Sequence, residues 1–212
     1  TDRFKDESRI SFLVNFLKTH YSFALGQTKV IDDNFRIQTE LMVYTHIWEA
    51  KAHLRMLYRM ANLLNGEGYE WTVKIPDMSK RKFIRTNIRD VFNQCFPSME
   101  DIIKKGFHSS LRNAFAHSEY SLDTMNKHNR INLYNYKWAA WELQTITFDE
   151  WSERFVYSAL LSYFLLDHKY NRRKSIVTDF GTSTFPIFFP PNNDRVAVSY
   201  NPSNDGFSYV RA

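Results

Sequence analysis

The chain has 212 residues, 43% of them hydrophobic and 24% charged, which suits one globular domain or a helical domain with a small appendage, and is cramped for two full domains. Its 28 Lys and Arg against 23 Asp and Glu leave a formal charge of +5, a balance that permits an anionic partner without naming one. Cys95 is the one cysteine, so an internal disulfide and a zinc site built on several thiolates are excluded, and a reducing, cytoplasmic setting is expected.

From Glu7 to Leu25, Ile10, Leu13, Val14, Leu17 and Tyr21 recur at helical spacing and Gly26 punctuates the end, which predicts a first helix. A second, long helix is predicted from Asp33 to Asn65, where no Pro or Gly interrupts "IQTELMVYTHIWEAKAHLRMLYRMANLLNG". After a loop ending at Pro76, "SKRKFIRTNIRDVFNQCF" places Phe83, Ile84, Ile88, Val91 and Phe92 in helical register, a third helix. Pro97 breaks the chain, and Ser98 with Asp101 three residues later resembles a capping box opening a fourth helix. On its wheel Ile103, Phe107 and Ala114 form the buried stripe, while Lys105, His108 and Arg112 point away.

"RINLYNY" and "WELQTIT" alternate as strands do and predict a hairpin. Thr147 and Glu150 form another capping signal, ahead of a closing helix over "WSERFVYSALLSYFLLDHKY". From Asn171 the short pieces "IVTDFG", "FPIFFPP", "RVAVSYNP" and "GFSYVRA" are β-rich. The expected organisation is therefore a mainly α domain over residues 1–170 and a β-rich extension over 171–212 packed on it. No apolar run reaches the roughly 20 residues a spanning helix needs, so no membrane contact is expected. The opening "TDRFKDESR" has neither Met nor an apolar secretory core, and the numbered start is expected to be a trimmed one.

The chemistry concentrates in "HSSLRNAFAHSEY", His108 to Tyr120. Arg112 offers a permanent planar fork of donors suited to phosphate oxygens, and His117 can give or take a proton near neutral pH. Together they suit RNA cleavage, in which the 2′-OH attacks its own phosphate. One group removes the hydroxyl proton, another protonates the leaving 5′-oxygen, and a cation stabilises the phosphorane. Residues five apart on a straight helix lie about 140° apart around the axis and about 7.5 Å along it. Either the helix ends before His117 and the ring swings back, or two chains meet and line one cleft, which also supplies a second His. A capped helix end with no chemistry is the plainer alternative.

"LRNAFAHSEY", placed before a hairpin and a final helix, resembles the Arg-x4-His motif of the HEPN superfamily. The resemblance covers roughly residues 7 to 170 as architecture and rests specifically on this motif. It implies an antiparallel all-α bundle that dimerises through the motif-bearing helices. It also implies metal-independent endoribonuclease activity in bacterial toxin or antiviral systems, or a catalytically silent RNA- or nucleotide-binding or scaffold module. By the motif, Arg112, Asn113 and His117 are the catalytic residues, with RNA, a second copy of the chain and an antitoxin or regulatory protein as partners. In some members a Tyr two residues after the His is modified by the antitoxin; here Ser118 and Glu119 precede Tyr120. Lys105, His108 and Tyr120 are candidates for substrate binding, and no cofactor or metal is implied.

His46, Glu49 and His53 lie on adjacent helical turns, where a metal could in principle bind. His108, one turn before Arg112, is a candidate second proton-transfer group. "KRKFIR" with Arg89 gives a basic patch suited to RNA phosphates. Any of Trp48, Trp71, Trp138, Trp141 and Trp151 can stack on a base or fill the core, and Cys95 reads as a small buried hydrophobe.

Overall fold

The structure is a computed structural model and describes residues 33–124, 128–134, 143–189, 194–203 and 206–210. The helix predicted over 7–25, and Trp138 and Trp141, lie outside the described residues.

Helix α1, Asp33–Glu49, turns Ile37, Leu41, Tyr44 and Trp48 inward at alternating four- and three-residue steps. Helix α2, Lys51–Leu64, does the same with Leu54, Leu57 and Ala61. The single helix expected over 33–65 is thus two. Ala50 leaves the helical conformation at φ −65° and ψ 107°, although neither Pro nor Gly marks the place. Its N–H still donates to His46 O at 3.0 Å and its carbonyl still accepts from Leu54 at 3.1 Å. The bend therefore sacrifices few backbone bonds, and it fixes Glu49 as the last residue of α1.

Helix α3 covers residues 80–95 in three parts: Lys80–Lys82, a π-helical Phe83–Arg89 and Asp90–Cys95. Asp90 N–H reaches back five residues to Arg85 O. Ile84, Ile88 and Phe92 are fully buried, the stripe the spacing predicts. Each such Ile contributes about 1.5–3 kcal/mol on burial.

The fourth expected helix is also two. Helix α4, Pro97–Gly106, carries Pro97 at its first turn and has Phe96 as its N-cap with no side-chain cap, so the expected Ser98–Asp101 capping box does not form. Pro at this position has no N–H to satisfy, which removes much of the need for one. The chain then extends through Phe107 and His108 before α5, Ser109–Ala116. The buried Tyr44 hydroxyl serves both backbone groups of His108, accepting from its N–H at 2.6 Å and donating to its carbonyl at 3.3 Å. Arg154 donates to Lys104 O and Phe107 O. The interruption is thereby satisfied by tertiary partners.

Strands β1, Tyr120–Asp123, β2, Arg130–Leu133, and β3, Thr145–Thr147, form an antiparallel sheet in that order. Ile131 faces Ile146, as the expected hairpin requires; β1 is an additional strand. The Thr147–Glu150 capping box forms reciprocally. Glu150 N–H donates to Thr147 Oγ1 at 3.2 Å and Thr147 N–H donates to Glu150 Oε2 at 3.0 Å. It opens helix α6, Phe148–Phe180. Trp151 Nε1 donates to the buried Glu40 at 2.8 Å, and Trp48 Nε1 donates to Ser158 Oγ at 3.1 Å, joining α6 to α1. Gly106 is buried where α4 meets Ser158, since a Cβ there would stand 3.0 Å from Ser158 Oγ.

α6 runs to Phe180, so "IVTDF" is helical and not a strand; Gly181 at φ +62° is the stop. Two compact units are present, one ending at Ser162 and one beginning at Tyr163. Within the second, β4, Thr184–Phe189, β5, Asp194–Asn201, and β6, Gly206–Tyr209, form an antiparallel sheet in that order. Pro186 sits on the edge strand β4, where its missing N–H costs no ladder bond. The described chain is mainly helical with two small antiparallel sheets.

Candidate functional site

Helix α5 holds the motif. His108 is its N-cap, with Nδ1 accepting from Ser110 N–H at 3.2 Å. Leu111 and Ala114 are fully buried and seat the helix against α1. Ser118 adopts φ 57° just past the helix, in the left-handed region. Its N–H donates to Phe115 O at 3.2 Å and Glu119 N–H donates to Ala114 O at 2.7 Å. This is a Schellman motif with Ser where Gly is usual. It places His117 at the C-cap, its N–H donating to Asn113 O at 3.0 Å and its ring exposed.

Arg112 turns inward. Its Nη1 donates to Oε1 of Glu49, and Lys80 Nζ donates to the other oxygen, Oε2. Three elements, the end of α1, the start of α3 and the middle of α5, thus meet on one carboxylate. Burial raises the affinity of the Glu49 carboxyl for its proton, but Lys80 and Arg112 together outweigh burial and hold it below the ordinary carboxylate range. It is ionised at neutral pH. Arg112 Nε is buried without a hydrogen-bond partner, so the guanidinium fork is only partly satisfied.

The structure does not join Arg112 to His117, since among the described residues no hydrogen bond links them and the ring of His117 has no partner. Asn113 lies between them, half-buried. His108 is the N-cap of α5, one turn before Arg112, and not an interior residue of the continuous helix that the wheel assumed, because the extended Phe107 and His108 end one helix before the next begins. Lys105 belongs to α4; it is exposed and pairs with Asp101 at 2.8 Å. Tyr120 opens β1 with its ring 5.6 Å from Phe115, and burial raises its hydroxyl pKa. Beyond the C-cap, Gln38, Ser118, Tyr120, Ser121 and Leu122 line an open hollow of about 440 Å³.

The trio His46, Glu49 and His53 does not converge. His46 is exposed, His53 is fully buried against Trp48, and Glu49 is occupied by its two cations. Among the described residues no group of three His, Cys, Asp or Glu is placed to hold a metal. In the basic patch, Lys80 is bound to Glu49 and Arg89 to Asp90. Trp48 and Trp151 are core, while Trp71 is exposed. Cys95 is half-buried, its Sγ donating to Val91 O.

Sequence reasoning missed Glu49 and Lys80 as neighbours of Arg112. A signal exists: a carboxylate on the last residue of a helix and an ammonium on the first residue of another both oppose the helix dipole. Among the described residues, no helix is long and apolar enough to cross a membrane. Comparison of the chain with protein-family models, with curated proteins and with solved structures gave no match.

Proposed function

We propose that the chain is a metal-independent endoribonuclease of the HEPN type, acting as a homodimer in the reducing interior of a bacterial cell, in a toxin or antiviral system. His117 transfers a proton, Arg112 stabilises the phosphorane, and Asn113 orients the phosphate or the Arg. An antitoxin or regulatory protein restrains the activity.

The observation that carries this reading is the division of labour along α5: Arg112 is held within the fold by Glu49, and eight residues of well-anchored helix deliver His117 at an exposed C-cap with an unpartnered ring. Two protons move in the reaction, one leaving the 2′-OH and one reaching the 5′-oxygen. One chain offers one such exposed His in the motif, and a twofold copy supplies the other. The test is incubation of pure protein with RNA and with DNA of the same sequence in EDTA. The expected result is cut RNA ending in a 2′,3′-cyclic phosphate and a 5′-hydroxyl, with DNA intact. A requirement for divalent metal contradicts the mechanism.

A second reading, a silent RNA-binding or scaffold module, is favoured by the Glu49 carboxylate already occupying part of the Arg112 fork. In that case RNA binds and no product forms under any condition.

A further inference from the structure

The charges around Glu49 are placed where local stability does not explain them. Glu49 ends α1, at the negative pole of the helix dipole, and Lys80 begins α3, at the positive pole of its own. Both placements oppose the helix dipole. Glu49 nevertheless draws in two cations from separate elements, one on each oxygen. The anion is also the more accessible member of the cluster: its side chain is 29% exposed, against 16% for Arg112 and 11% for Lys80. Two inward cations thus share one outward anion. A phosphodiester presents two non-bridging oxygens with a span much like that of a carboxylate, and so meets the same two donors. The unpartnered Nε of Arg112 shows a fork that its present partner does not saturate.

We propose that Lys80 and Arg112 form a phosphate subsite for RNA, in which Glu49 is the resident counter-ion that the RNA phosphate displaces. Lys80 is then a second phosphate-binding cation, contributed by the start of α3 rather than by the motif. Glu49 keeps the two cations together and neutralised while no RNA is present. The inference rests on RNA being the ligand, as in the proposed function, but not on RNA being cut.

The experiment is equilibrium binding of a fluorescently labelled 2′-O-methyl RNA oligonucleotide, which lacks the attacking hydroxyl, measured by anisotropy across a salt series. Glu49→Gln keeps the shape and removes the charge; it is expected to tighten binding by about tenfold near 0.1 M salt, as a competing charge a few ångströms from the phosphate is lost. Lys80→Ala is expected to weaken binding and to reduce the slope of log affinity against log salt by about 0.7, one phosphate contact on a single strand. Circular dichroism checks that each variant is folded; if Glu49→Gln is not, Lys80→Ala decides. Unchanged or weaker binding by folded Glu49→Gln overturns the proposal. So does Lys80→Ala with wild-type affinity and slope, or wild-type protein that binds no RNA. Wild-type protein that binds as expected and never cuts RNA overturns the endoribonuclease reading and leaves the subsite standing.

Discussion

His53 gives a prediction that depends on burial alone. Its ring is fully enclosed, packs edge-on to Trp48 at 6.0 Å between centroids, and has no hydrogen-bond partner on either nitrogen. Burial alone lowers its pKa from 6.5 to about 4. Between these values the unfolded chain binds a proton that the folded chain does not, so stability falls as pH falls. At 1.36 kcal/mol per pH unit the full loss, reached below pH 4, is roughly 3 kcal/mol; at pH 5 it is about 2 kcal/mol relative to pH 8. The substitution His53→Leu removes the titration and keeps an apolar side chain of similar volume. Urea denaturation of both proteins between pH 8 and pH 5 isolates the effect, because carboxylates common to both cancel in the difference. The variant should gain about 2 kcal/mol on wild type over that interval. A difference that stays constant with pH refutes the reasoning and places water or a partner on the His53 ring.

Two further substitutions test the anchoring of α5 and α4. Ser118→Gly relieves a left-handed residue in the Schellman motif and should raise stability by about 0.5–1 kcal/mol in thermal melts; a lower melting temperature would show that the Ser118 side chain contributes more than its strain costs. Gly106→Ala puts a methyl against Ser158 Oγ, which is committed to Trp48 Nε1, and should cost about 1–3 kcal/mol by urea titration; an unchanged midpoint would mean that α4 and α6 adjust freely.

Where the physics is local, the fold was legible. The inward stripe of α3 follows from spacing, and the Thr147–Glu150 cap forms from its signature. The extension of α6 through "SIVTDF" was hidden by β-branched residues, though Gly181 marked its true end. The break at Ala50 has no marker in its neighbours, and the one at Phe107–His108 depends on a distant partner. Tyr44, 64 residues from His108, satisfies the second of them, and no short-range rule announces that. At the site, the motif picked out Arg112, Asn113 and His117, and the wheel left Lys105 at the surface where it lies, but it also turned Arg112 outward because it assumed an unbroken helix. Gly106, at the end of α4, was the available warning. The ion pair of Arg112 with Glu49 spans 63 residues and shows in the sequence only as charges on the wrong helix ends.

The central claim is that His117 moves a proton in a cleavage that needs no metal. Its most direct test is the single-turnover rate of RNA cleavage in EDTA by wild type and by His117→Ala, with folding of the variant verified by circular dichroism. A rate lower by about 100- to 10,000-fold in the variant, with the same cyclic-phosphate ends in the residual product, is the predicted result. A folded variant that cuts RNA at close to the wild-type rate would contradict the account.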